Sequence, residues 1–206
     1  MLLEVIFYIA IAAEAMTAAL AAGRRNMDWF GVCVLACVTA LGGGTFRDVV
    51  LGHYPLTWVH NPWLLLICCA AAFVTIALAR FMAALRWPFL LLDAVGLVVF
   101  TIIGCNVALT MGQSPIIVIV AGMMTGIVGG IMRDILCNDV PLVFSSELYA
   151  TVSMLAGILY YFGLQTGLPH DLVVVGTIFI GFALRVAAIV WKVQMPKFVY
   201  DKKDLH

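Results

Sequence analysis

Long stretches of this chain carry no charge at all, and its polar residues fall between apolar runs of roughly 18 or more residues, the length a helix needs to cross a bilayer. These runs predict helical spans over 3–22, 29–51, 62–84, 88–112, 115–137, 147–167 and 171–191. They leave no room for a soluble domain. The expected fold class is an all-α membrane protein of about seven transmembrane helices lying in a lipid bilayer.

The pattern is written twice. Thr39-Ala-Leu-Gly-Gly-Gly-Thr-Phe-Arg47-Asp48 returns as Thr125-Gly-Ile-Val-Gly-Gly-Ile-Met-Arg133-Asp134, at a constant offset of 86 residues. At that offset Pro55-Leu56 recurs as Pro141-Leu142, Trp58 as Phe144, and Trp63 as Tyr149. An ungapped repeat of this length predicts two copies of one folding unit. The unit holds three spans, an odd number, so the second copy crosses in the opposite sense: two inverted three-helix repeats plus a final helix. The expected organisation is a first repeat over 1–86, a second over 87–168, a seventh helix over 169–193 and a cytoplasmic tail over 194–206.

Composition sharpens this reading. Hydrophobic residues make up 65% and charged residues 11% of the chain, less than half the charged fraction usual in soluble domains. No Lys or Arg precedes the first run, as a signal peptide would need, so it is read as a retained helix with its N-terminus outside. Basic residues follow span one (Arg24, Arg25), lie between spans three and four (Arg80, Arg86) and fill the tail (Lys192, Lys197, Lys202, Lys203). By the positive-inside rule these regions, and the C-terminus, are cytoplasmic. The loop after span five, with Asp139 and Glu147, is the weakest point of that assignment. The five Trp residues (29, 58, 63, 87, 191) fall near span ends as interfacial anchors do.

Lys plus Arg and Asp plus Glu number 11 each, so net charge suggests no nucleic-acid partner. The six cysteines (33, 37, 68, 69, 105, 137) read as small apolar helix residues, with no disulfide framework. The four histidines (53, 60, 170, 206) form no metal motif, and no nucleophile arrangement or phosphate loop suggests an enzyme. No cofactor is expected beyond a bound K+ or Na+.

Inverted repeats place sites where interrupted helices meet, at glycines in corresponding positions. Gly42, Gly43, Gly44 and Gly129, Gly130 fit that description, and Thr39 and Thr125 fall near the midplane. A break there would free backbone carbonyls, with Gly43 and Gly129 as candidate ligands for a monovalent cation. The competing reading is packing: Ala36-xxx-Ala40-xxx-Gly44 and Gly122-xxx-Gly126-xxx-Gly130 are small-residue stripes. Arg47-Asp48 and Arg133-Asp134 carry the sharper signal. Neighbours at i and i+1 do not face each other on a helix, so each is expected to find another partner or water. Asp93 is expected to pair with an arginine. Glu14 has no acidic counterpart, since Phe100 stands at its offset, and Arg185 is read as reaching the cytoplasmic interface.

The doubled Gly-Gly-x-x-Arg-Asp motif, Pro55 and Asp93-Ala94-x-Gly96-Leu97 resemble a bacterial inner-membrane family related to the trimeric intracellular cation (TRIC) channels. The likeness runs from about residue 5 to residue 195. It implies seven spans, a homotrimer, and one pore per protomer lined by glycine-kinked second and fifth helices, conducting potassium and other monovalent cations. It would put the kinks at Gly42–Gly44 and Gly129–Gly130, with Val128 where a third glycine would complete the second triplet. Arg47, Asp48, Arg133 and Asp134 would set the field in the pore. Some bacterial relatives are instead described as glycine transporters, so two readings follow. A channel predicts a polar path past Thr39 and Thr125. A small-amino-acid transporter would use the arginines to hold a carboxylate.

Overall fold

In the computed structural model residues 2–79, 86–145 and 148–193 are described, and among them nine α-helices and no strand occur. They are α1 (Leu2–Arg24), α2 (Trp29–Leu51), α3 (Thr57–His60), α4 (Trp63–Ala79), α5 (Arg86–Thr110), α6 (Pro115–Leu136), α7 (Leu142–Ser145), α8 (Tyr149–Gln165) and α9 (His170–Trp191). The all-helical class follows from the solvent: hydrocarbon offers backbone N–H and C=O groups no partners, so each span must satisfy its own. Five helices, α1, α2, α5, α6 and α9, are long and apolar enough to cross a membrane. Each predicted span overlies one long helix. The four-residue helices α3 and α7 were not anticipated; they follow α2 and α6, where the motif repeats. Arg80, Glu147 and the tail beyond Val193, with Lys197, Lys202 and Lys203, lie outside the described residues.

Helix ends follow local chemistry. Asp28 caps α2 by accepting from the Gly31 N–H at 2.7 Å, and Gly52 closes it in the left-handed region (φ 68°). Pro115 opens α6, where a missing N–H costs nothing. After each of these helices the chain turns back identically: His53 N–H donates to the Asp48 carbonyl at 2.8 Å, and Asp139 N–H to the Asp134 carbonyl at 2.8 Å.

Between helices in lipid, apolar burial supplies little driving force, so close packing of small residues has to supply it. Helix α1 buries a row of alanines, Ala10 to Ala22, against α2, α4 and α5. A second core joins α5, α6, α8 and α9 around Val98, Ile102, Val118, Tyr160 and Val174. The α1–α5 and α2–α6 contacts join the two. On α6, a Cβ at Gly122 or Gly126 would sit 2.7 Å from the carbonyl of Thr101 or Leu97, so α5 and α6 touch backbone to backbone.

Candidate functional site

Helices α2 and α6 cross at the glycines. A Cβ built on Gly43 would fall on the Thr125 carbonyl oxygen, and one on Gly129 would fall on that of Thr39. Each threonine thus offers its backbone to the other helix's glycine. Their hydroxyls bond within their own helices, Thr39 Oγ1 to Leu35 O at 2.7 Å and Thr125 Oγ1 to Ala121 O at 2.6 Å. Gly42 faces Met132 Sδ instead, while Gly44 and Gly130 lie beneath the guanidinium groups of Arg47 and Arg133. Three adjacent glycines therefore serve three different neighbours.

The expected interruption is absent. Both helices are continuous through their glycines, α2 from Trp29 to Leu51 and α6 from Pro115 to Leu136. What the glycines accomplish here is close approach.

The expectation that Arg47 and Arg133 would look past their neighbouring aspartates is also overturned. Arg47 Nε and Nη2 both donate to Asp48 Oδ1, at 3.0 and 2.6 Å, and Arg133 Nε donates to Asp134 Oδ1 at 2.9 Å. Successive Cβ atoms diverge on a helix, but an arginine is long enough to fold back, and in a dry interior an unpaired charge is costly. The second carboxylate oxygen fastens the chain that follows. Asp48 Oδ2 accepts from Thr57 N–H (3.0 Å) and Oγ1 (2.8 Å), and Asp134 Oδ2 from Leu142 N–H (2.9 Å). Each Arg-Asp pair thereby pins a short helix, α3 or α7, across the end of its span.

The two pairs have unlike surroundings. Arg47 has Thr57 Oγ1 at 3.2 Å, and half-exposed His53 approaches Asp48 Oδ1 through Nδ1 at 3.1 Å. Beside it opens a cavity of about 120 Å³ lined by Phe7, Thr45, Arg47, Thr57, Phe100 and, at the crossing, Thr125. That is room for a few waters at about 30 Å³ each. Arg133 is fully buried and gathers acids from three helices. Its Nη1 donates to Asp93 Oδ1 at 2.8 Å and to Thr17 Oγ1 at 3.2 Å, and stands 3.5 Å from Glu14 Oε1. Its Cζ lies 4.7 Å from the Phe89 ring centroid. Asp93 thus has its arginine partner.

Thr17, Thr57, His53 and Phe89 were not singled out from the sequence, and Glu14 was noted without a role. Thr17 and Arg133 are 116 residues apart, and no local spacing reveals such a contact. Arg185 is corrected as well: it does not reach an interface but is fully buried, its Cζ 4.7 Å from the Tyr149 ring centroid.

The fold that carries these contacts is that of solved TRIC channels. The TRIC channel orthologue from Rhodobacter sphaeroides superposes with a TM-score of 0.89 at 34% identity, over 93% of this chain and 99% of that one. The family model described as "Glycine transporter" matches residues 4–80 and 90–165. The chain belongs to that family, a bacterial membrane family related to the TRIC channels. Among its relatives, the UPF0126 inner membrane protein YadS of Escherichia coli K12 is 38% identical over 196 residues, 94% of this chain and 95% of the relative. A UPF0126 membrane protein of Vibrio cholerae is 40% identical over 205 residues, 98% of this chain and 84% of the relative. This fold and these relatives indicate a channel or transporter rather than an enzyme.

Proposed function

We propose that this chain is the protomer of a homotrimeric TRIC-type channel for monovalent cations, potassium foremost, in a bacterial inner membrane. The conduction route runs through each protomer between α2 and α6, and the crossing of Gly43 and Gly129 is its constriction. The observation that carries this reading is the reciprocal contact of Gly43 with Thr125 and Gly129 with Thr39, with a cavity leading from it to Arg47 and Thr57. At the crossing itself glycine meets carbonyl with no side chain between them, which suits a gate.

In this reading α1 to α4 form the first repeat (1–86) and α5 to α8 the second (87–168), inverted, with α9 (169–193) outside both. The N-terminus lies outside, and the tail (194–206) is cytoplasmic. The two segments matched by the family model begin 86 residues apart (90 − 4), the same offset as the motif. Buried arginines would oppose a cation path if unpaired. Here Arg47 is clasped by Asp48, and Arg133 by Asp134 and Asp93, so these five residues shape the field near the route without lending it net positive charge.

The test is purified protein in liposomes under an imposed potassium gradient, recording membrane potential and labelled glycine uptake together. A potassium-dependent potential without glycine uptake, altered in Gly43→Leu, is the expected result. Saturable glycine uptake with no potential of its own would replace the channel by a small-amino-acid transporter.

A further inference from the structure

The two Arg-Asp clasps occupy equivalent positions in sequence, yet one lies among apolar side chains and the other among acids. At the offset of 86, Phe7 corresponds to Asp93, Phe100 to Glu14 and Ile103 to Thr17. All three apolar partners line the cavity beside Arg47. All three polar ones meet Arg133. The Arg133 clasp has therefore acquired Glu14 and Asp93, and three buried carboxylates now share one guanidinium.

That guanidinium does not satisfy them. Arg133 Nη1 serves Asp93, Thr17 and Glu14 at once, while its Nη2 has no hydrogen-bond partner. Asp93 is 1% exposed, and its Oδ2 likewise has none. The other oxygen of Glu14 is pressed against Gly96 of α5. The titratable groups facing Glu14 are Asp93 from α5 and Arg133 and Asp134 from α6. Tyr149 of α8 flanks them, with Arg185 of α9 over its ring. Exposed Arg24 is on the ring of Phe89, the ring that Arg133 also covers. Helix α4 carries no charged residue, and on α2 Arg47 and Asp48 are occupied with each other. Like charges this close, in a membrane interior, cannot all remain ionised without water or a cation.

We propose that the Glu14–Asp93–Arg133–Asp134 cluster is a proton-binding site, in which Glu14 and Asp93 share one exchangeable proton while this half of the protein is closed. The bond involved is a single carboxyl O–H, formed from and released to water at the α6 C-terminal side. Releasing the proton leaves an excess of negative charge that only hydration or an entering cation can relieve, so release favours the open form. The site itself stands apart from the channel reading; only its effect on flux rests on that reading.

The test is infrared titration of the full chain in lipid nanodiscs. At neutral pH a protonated-carboxyl C=O band should persist when exposed acids are ionised, vanish on alkaline titration and be lost in Glu14→Gln. A spectrum without such a band at neutral pH, as a cation-filled cluster would give, overturns the proposal. So does a band unchanged in both Glu14→Gln and Asp93→Asn. Should either variant fail to fold, the wild-type titration still decides. Potassium flux in proteoliposomes should then rise with pH on the α6 C-terminal side in the wild type and lose that dependence in Glu14→Gln. Loss of flux with the band intact would indict the channel reading and leave the proton site standing.

Discussion

Replacing Gly43 with alanine adds one methyl group at the point where α2 meets α6. That Cβ would lie on the Thr125 carbonyl oxygen, well inside the 3.4–4 Å of ordinary van der Waals contact. The obstacle is backbone within a continuous helix and cannot swing aside as a side-chain tip would. The helices must part by about an ångström, a gap that forfeits a quarter to a half of each contact's dispersion energy along the seam. Overpacking of this kind costs about 1–3 kcal/mol. For a chain of this size that is a fall in Tm of about 2–4 °C per kcal/mol. Gly23→Ala is the matched control, since nothing lies within 4 Å of a Cβ there and the change gains helix propensity. Gly129→Ala should behave like Gly43→Ala against the Thr39 carbonyl. The double variant should cost less than the sum of the two, because one separation accommodates both methyls. Thermal unfolding of the detergent-solubilised protein, followed by fluorescence-detected size exclusion, measures all four. A Gly43→Ala protein as stable as Gly23→Ala, or strictly additive glycine variants, would refute a backbone-to-backbone crossing.

Asp93→Asn should lower stability by about 1.5–3 kcal/mol, measured in the same assay, because it turns the charge-assisted 2.8 Å bond to Arg133 into a neutral one while Glu14 and Asp134 still compensate the guanidinium. Arg133→Ala should be more damaging than Arg47→Ala, since it leaves three buried carboxylates rather than one; equal losses would contradict the contrast between the two clasps. Thr57→Val removes the 2.8 Å bond to Asp48 Oδ2 but spares the Thr57 N–H bond, so it should cost about 1 kcal/mol. Trp58→Phe deletes the indole N–H bond to Thr45 Oγ1 at 3.1 Å and should cost a similar amount.

The fold was legible because lipid permits few alternatives. Long uncharged runs become helices wherever they lie, and the runs predicted for α2 and α6 match those helices to within a residue. The repeated motif lies where the two copies meet: Gly43, Gly129, Thr39, Thr125 and both Arg-Asp pairs gather at the α2–α6 contact or at the ends of those helices. Illegible were the consequences of side-chain reach and of tertiary contact. A rule about Cβ directions did not anticipate that Arg47 folds back onto Asp48. Paired glycines suggested a break, yet both helices run on through them and pack there against carbonyls. Glu14 and Thr17 come to Arg133 from another helix. The hint lay in the mismatch between the copies, where Glu14 stands opposite Phe100.

The central claim is that cations pass between α2 and α6 through the cavity beside Arg47. Its most direct test is modification of Thr45→Cys, a residue lining that cavity, in a background with the six native cysteines replaced. Potassium current is recorded in planar bilayers while a charged thiol reagent is added from the Arg47 side. Block of the current by the reagent is the result the account predicts. A current that continues unchanged after Thr45→Cys has been fully labelled would contradict it.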